Sequence, residues 1–318
     1  MKIADILQKT EKTLFSFEIV PPLKGHSINS LYQKIELLTE FNPLNINITY
    51  HQAETVYSPG ENNIIFKKVV RKRPGTVALA AAIRNRFPNV ITVPHLICGG
   101  MTREEIENIL IDLNFLEINN ILLLRGDAPK GEKYFIPEPG GHKHTIDLVN
   151  QIMDLNKGIY LDKDLKNTEA TNFSVGVAGY PEKHIESPNP ELDMQYLKAK
   201  VDAGAEYIVT QMFFDNQKFF EWEKRCRQAG ITVPIVPAIK PLGKKRDLEI
   251  IPQVFSLDMP MDLVNAVNSA KDDSAVYQIG IEWAIQQSKE LIQHGVPAVH
   301  YFSVGRTENV REIAKAVF

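Results

Sequence analysis

A single (β/α)8 barrel of the TIM type is the fold this sequence predicts, and three observations predict it. Eight short apolar runs rich in β-branched residues alternate with longer segments of helical period, the pattern of βαβ units on a parallel sheet. The alternation occupies the whole 318-residue chain with no linker to divide it, so residues 1–318 read as one domain, and eight such units imply closure rather than an open sheet. Every run also ends on or beside a polar residue, at the strand end where barrels keep their chemistry.

The first run is 14–20 (LFSFEIV), followed by a helical pattern over 30–41. The second is 44–50 (LNINITY), after which two helical stretches are expected, over 62–73 and 76–86. The basic run 67–73 (KKVVRKR) then reads as the solvated face of the first of these helices. The third run is 90–98 (VITVPHLIC), and the helix after it opens at Thr102 with T-R-E-E, an N-cap followed by acidic residues in the first turn. The fourth run is 120–125 (NILLLR), the fifth 173–178 (FSVGVA) and the sixth 207–213 (YIVTQMF). The seventh is 234–239 (PIVPAI), the eighth 298–304 (AVHYFSV), and a helix over 309–317 ends the pattern. Two segments break the spacing. A Pro/Gly-rich loop, 127–142 (DAPKGEKYFIPEPGGH), follows the fourth run, and loops of that length in a compact domain are usually functional or disordered. A polar insertion over 156–172 reads as surface elaboration.

Composition excludes several classes. A formal charge of −3 and a pI near 6.3 give no reason for a nucleic-acid or membrane partner. Cys98 and Cys226 form no disulfide framework and lack metal-site spacing, which suits a reducing compartment. The first twenty residues lack the apolar core of a secretory leader, and no stretch approaches the roughly 20 apolar residues that span a bilayer, so a cytoplasmic location is expected.

At the ends of successive runs stand Glu18, Thr49, His95, the triplet Arg125-Gly126-Asp127, the segment Tyr180–His184 (YPEKH), Gln211, Lys240 and Arg306. One buried polar residue in an apolar strand is usually a satisfied structural group. A set of them at one end of a barrel marks a binding or catalytic face. Glu18, between Phe17 and Ile19, falls on the inner face of an alternating strand. There it is either a carboxyl kept protonated by desolvation, suited to general acid work, or half of an ion pair across the barrel. His95 is either a hydrogen-bonded core histidine or a ligand contact. In Arg125-Gly126-Asp127 the glycine admits a ligand close to the backbone and the arginine suits a phosphate or a flat ring. The alternative there is a tight turn closed by an Arg–Asp pair. Gln211 offers a donor and an acceptor from one amide, as recognition of a heterocycle edge requires. There is no GxGxxG, GxxxxGK[ST], HExxH or GxSxG pattern, which disfavours a Rossmann dehydrogenase, a P-loop NTPase, a zincin and an α/β-hydrolase.

The segments FSFEIVPP, NITY, VPHLIC, LLLRGD, AGYPEKH, KVDAGAEYIVTQMFFD and HYFSVGR, in that order, resemble the methylenetetrahydrofolate reductase family over 15–306. The resemblance implies a flavoprotein. Non-covalent FAD would take a hydride from NADH or NADPH and pass it to 5,10-methylenetetrahydrofolate, yielding 5-methyltetrahydrofolate for methionine synthesis, in a ping-pong cycle run by a homo-oligomer. By the same resemblance Glu18 is the general acid, and Asp127 lies near flavin and pterin, where its charge stabilises the cationic iminium. Thr49, Tyr50, His95, Arg125, Gly126, Asp127, His144, Thr145, Tyr180, His184, Asp193 and Lys200 match positions that hold FAD, with Arg125 or Lys200 supplying a cation to the diphosphate. Gln211 matches the residue that binds the pterin and the nicotinamide, and Arg306 the one that reaches the folate's glutamate carboxylate.

Two departures stand out. His144 occupies a place where the family usually has a tyrosine packed near the adenine side of FAD, and the last segment reads YFSVGR rather than FYTxxR. Three rivals keep the barrel but change the function. One is another flavin barrel, such as a proline dehydrogenase, which leaves Glu18 and Gln211 unexplained. The others are a folate-binding methyltransferase barrel without flavin and a binding protein with a decayed site.

Overall fold

The computed structural model describes residues 1–60, 64–128, 132 and 134–318. Eight parallel strands close into a barrel. In chain order they are β1 (Leu14–Ile19), β2 (Asn45–Ile48), β5 (Ile91–Ile97), β6 (Asn120–Leu124), β7 (Ser174–Gly179), β8 (Tyr207–Met212), β9 (Ile235–Ile239) and β10 (Ala298–Phe302). All eight predicted runs are strands, each within one or two residues of its expected bounds, and β1 closes the ring against β10 with Phe17 opposite Tyr301. Helices α2 (Ile28–Thr39), α3 (Thr76–Arg86), α4 (Arg103–Phe115), α5 (Thr145–Leu155), α6 (Pro190–Asp202), α7 (Asn216–Gln228), α10 (Asp273–His294) and α11 (Glu308–Val317) follow the strands in turn. Two further helices, α8 (Asp247–Phe255) and α9 (Met261–Ser269), fill the connection after β9.

Strand alternation divides the core in two. Phe15, Phe17 and Ile19 of β1 point outward with Ile46, Ile48, Val175 and Val177 into the layer between sheet and helices. The opposite parity, Leu14, Val93, Leu122, Val209, Val236 and Ala298, fills the barrel interior near the strand starts. That layer includes Ile3, Ala4 and Leu7 of an additional helix, α1 (Ile3–Lys9), which plugs the lower mouth. The Asn120 side chain fastens the plug. Its Oδ1 accepts from the Ile3 N–H (2.8 Å) and its Nδ2 donates to the Met1 carbonyl (3.0 Å). Above the apolar floor, the same inner parity carries Ser16, Glu18, Asn47, His95 and His300, so the upper half of the lumen is polar.

Local chemistry sets several element ends. Thr102 and Glu105 form a reciprocal capping box at the start of α4, as the T-R-E-E signal predicts. Gly280 lies where α10 crosses the turn after β9. A Cβ there would stand 2.1 Å from the Leu242 carbonyl oxygen, so only glycine lets the helix seat the turn that follows Lys240.

One expectation is overturned. The helix predicted over 62–73 is not formed; β4 (Ile65–Val70) pairs antiparallel with β3 (Glu54–Pro59) in a two-stranded ribbon beside the barrel, Glu54 opposite Val70 and Pro59 opposite Ile65. Residues 61–63, where that helix was to begin, lie outside the described residues. The cause is local: IIFKKVV is dense in β-branched and aromatic residues, and a Ser-Pro-Gly sequence precedes it, both of which favour a hairpin. The basic run therefore belongs to a strand and the turn after it. Arg73 donates to the Pro21 carbonyl and the Lys24 N–H donates to the Lys72 carbonyl, which ties the ribbon's base to the end of β1. Much of the ribbon's apolar surface is exposed, with Tyr57, Ile65, Phe66 and Val69 more than half accessible.

Candidate active site

The polar strand ends gather at the upper mouth, as the fold class requires. Glu18, on the inner face of β1, is 7% exposed and joins no ion pair among the described residues, which decides against the cross-barrel salt bridge. Burial alone pushes its carboxyl up to about 8, so the acid is mostly protonated at neutral pH. The backbone beneath it is fixed, since Ser303 Oγ donates to the Glu18 carbonyl at 2.7 Å. His95, on β5, is fully buried; desolvation drives its pKa down to about 3, and its Nε2 has no hydrogen-bond partner. A neutral buried ring with an unpaired nitrogen is not the fully hydrogen-bonded core histidine that was the alternative reading.

Sequence reasoning missed the layer below. His300, on β10, accepts from or donates to Ser16 Oγ at 2.9 Å through Nδ1, leaves Nε2 unpaired, and is also held neutral by burial. The signal was present as alternation, because Ser16 precedes Glu18 by two and pairs in register with His300.

Past β2, Thr49 Oγ1 lies 3.3 Å from the Ile19 carbonyl and 3.1 Å from His51 Nε2, and the Tyr50 hydroxyl contacts Met101 Sδ at 3.3 Å. Past β6, Gly126 takes φ 89°, a left-handed turn that suits glycine, and Asp127 is exposed at the rim. Arg125 does not pair with Asp127. Its guanidinium donates to both oxygens of Glu186, at 2.6 and 2.7 Å, and lies 4.9 Å from the centre of the Phe135 ring. Glu186 is a second residue that sequence reasoning missed; it stands two places beyond His184 in the turn after β7.

That turn is compact. Tyr180 and His184 meet edge to face at 4.8 Å, and the Glu186 N–H donates to His184 Nδ1 at 3.1 Å. Asp193, in the first turn of α6, accepts from Ser187 Oγ at 2.6 Å. Lys200, two helical turns on, donates to the Ala178 carbonyl at 2.7 Å and has no carboxylate within ion-pair distance among the described residues. Burial lowers its pKa to about 8. His144 caps α5 and Thr145 is its first residue; the His144 N–H donates to Asp147 Oδ2 at 3.0 Å, closing the long loop onto the helix.

On the far side, Gln211 of β8 accepts from the Met212 N–H through Oε1 (2.9 Å), which leaves its amide NH2 for a ligand. Arg306 lies exposed past β10, and its guanidinium borders Gly243 near Asp247 at the turn after β9, on the same side as Lys240. The nominated residues thus fall into two groups. Glu18, Gln211 and Arg306 ring the β8–β10–β1 side, while Arg125, His144, Tyr180, His184, Asp193 and Lys200 sit on the β6–β7 side. His95 and Thr49 lie between them.

The whole chain matches one family model, described as methylenetetrahydrofolate reductase, over residues 2–317. Among curated proteins it is 32% identical over 320 residues to "Methylenetetrahydrofolate reductase (NADH) 1" of Arabidopsis thaliana, covering 96% of this chain and 48% of that one. It is 28% identical over 294 residues to "5,10-methylenetetrahydrofolate reductase" of Escherichia coli, covering 92% and 86%. The chain spans about half the length of the plant relatives it matches. Among solved structures, an uncharacterized protein from Clostridium thermocellum, described as binding two copies of 5-methyl-5,6,7,8-tetrahydrofolic acid, shares the fold with a TM-score of 0.60 at 14% identity, over 98% of this chain and 97% of that one.

Proposed function

The chain belongs to the methylenetetrahydrofolate reductase family, and from that premise we propose that it reduces 5,10-methylenetetrahydrofolate to 5-methyltetrahydrofolate, with FAD as cofactor and NADH or NADPH as hydride donor. The reaction runs ping-pong and feeds methionine synthesis. The same reading makes residues 1–318 one catalytic domain, working in the cytoplasm as a homo-oligomer. Among the described residues no helix is long and apolar enough to cross a membrane.

The observation that carries the reading is Glu18, a buried carboxyl without a counter-ion at the catalytic end of a barrel strand. Opening the methylene bridge of the folate releases a nitrogen that needs a proton, and a carboxyl still protonated near pH 7 supplies one. Gln211 presents its amide NH2 to the pterin edge, and Asp127, an exposed carboxylate, stabilises the cationic iminium that opening creates. Arg306 meets the glutamate carboxylate outside the mouth.

The residues present fit a flavin dinucleotide. Lys200 is a half-buried cation with no carboxylate within ion-pair distance among the described residues, the buried His95 Nε2 has no hydrogen-bond partner among them, and Gly126 opens the backbone after β6. Thr49, Tyr50, His95, Arg125, Gly126, Asp127, His144, Thr145, Tyr180, His184, Asp193 and Lys200 would hold it. When bound, FAD supplies the hydride relay between nicotinamide and folate.

An anaerobic visible spectrum of the FAD-loaded protein tests the reading. Reduction by NADH or NADPH is expected to bleach the flavin band, and methylenetetrahydrofolate to restore it; a band that bleaches and does not return overturns the folate assignment.

A further inference from the structure

The carboxylate of Glu186 occupies the fork of the Arg125 guanidinium on the β6–β7 side. Arg125 grips it with both arms of its guanidinium, at 2.6 and 2.7 Å, a bidentate fit that arginine otherwise makes with phosphate. The backbone N–H of Glu186 is held by His184 Nδ1 at 3.1 Å, which anchors the carboxylate's own residue to a second nominated flavin contact. Phe135 packs against the guanidinium and fixes its plane. The hydrogen bonds from Arg125, and then its charge, hold the Glu186 carboxyl below the usual carboxylate range, so a nominated flavin contact acts directly on this anion. Glu186 itself is more than one-third exposed, on a turn rather than in a helix or strand, and so is free to swing away.

We infer that Glu186 is a built-in competitor of the flavin diphosphate: its carboxylate holds Arg125 in the flavin-free protein and is displaced when the diphosphate arrives. This rests on the proposed flavin reading and extends it to a residue outside the nominated set. Lys200, whose ammonium donates to the Ala178 carbonyl and joins no ion pair among the described residues, gives the diphosphate a first foothold that needs no displacement. Glu186 then sets how much of the attraction of Arg125 reaches the cofactor. It thereby determines selectivity for flavins that carry phosphate over those that do not.

The test is flavin fluorescence quenching in the flavin-free full chain, with FAD and with riboflavin, which lacks phosphate. The Glu186→Gln variant keeps the size of the side chain and removes its charge. It is expected to bind FAD roughly threefold to tenfold more tightly than the unaltered protein, as loss of a partly exposed ion pair allows. Riboflavin affinity is expected to stay the same, and adding Arg125→Gln to abolish the gain. Equal or weaker FAD binding by Glu186→Gln overturns the competition and makes Glu186 a residue that orients Arg125 for the cofactor. A gain shared equally by riboflavin overturns it too, because a general loosening of the turn would then explain it. Failure of the unaltered protein to bind FAD at all removes the flavin reading itself, a result distinct from either.

Discussion

The two sides of the barrel mouth handle charge in opposite ways. On the β1 side, Glu18 is stripped of water and offered no counter-ion, so its carboxyl stays neutral. On the β6–β7 side, Arg125 and Glu186 are both charged, partly exposed and paired, and each keeps the other ionised. A proton donor near pH 7 needs the first environment, because desolvation is what raises a carboxyl's pKa. A cradle for a dianionic cofactor needs the second, in which cations remain cations. On the proposed reading, one ring of strand ends would thus support acid chemistry and anion binding without either compromising the other.

Breaking the neutral side has the largest expected effect. Glu18→Gln keeps the volume and removes the transferable proton, so return of the bleached flavin on mixing with methylenetetrahydrofolate is expected to slow by about 10²- to 10⁴-fold in stopped-flow. Bleaching by NADH or NADPH should be unaffected. Normal folate turnover in that variant would sink the assignment of Glu18 as the acid.

The charged side is tested at Lys200. Lys200→Gln removes a cation that joins no ion pair among the described residues, and FAD affinity is expected to fall about tenfold to a hundredfold, the size of a charge-assisted hydrogen bond. Unchanged affinity by fluorescence titration would assign the diphosphate to another residue.

The smallest effect sharpens the contrast through stability. The folded-state pKa of Glu18, about 8, lies above its ordinary value of 4.5. The native state therefore holds this proton where the unfolded chain has released it. The stability associated with that proton is complete below pH 4.5 and is lost as pH rises through 8. Glu18→Gln escapes the loss, so its melting temperature relative to the unaltered protein should climb by a few degrees between pH 5 and pH 9. Parallel curves for the two proteins would mean that Glu18 is not desolvated.

The sequence made the barrel legible because eight buried strands each announce themselves as a short β-branched run, and the inner parity of Glu18 followed from alternation alone. The ribbon after Tyr50 was misread because a short, mixed segment such as IIFKKVV fits a helical period as readily as an alternating one. There the density of β-branched residues and the Ser-Pro-Gly before it were the better guides. At the site, residues on strand ends were predictable, since the fold fixes where they point. The partner of Arg125 was not. An Arg125–Asp127 pair was only the alternative reading of the triplet; a left-handed turn at Gly126 lies between the two, and the acid that reaches the guanidinium comes from the turn after β7. Contacts between loops are set by the path of the backbone, which periodicity does not encode.

The helix that plugs the lower mouth has a consequence for traffic. With Ile3, Ala4 and Leu7 wedged into an apolar floor, the lower mouth is stoppered among the described residues, and the polar half of the lumen lies at the other end. On the proposed reading, in which a two-step relay passes hydride between two reactants, the stopper would leave both of them the same way in and out.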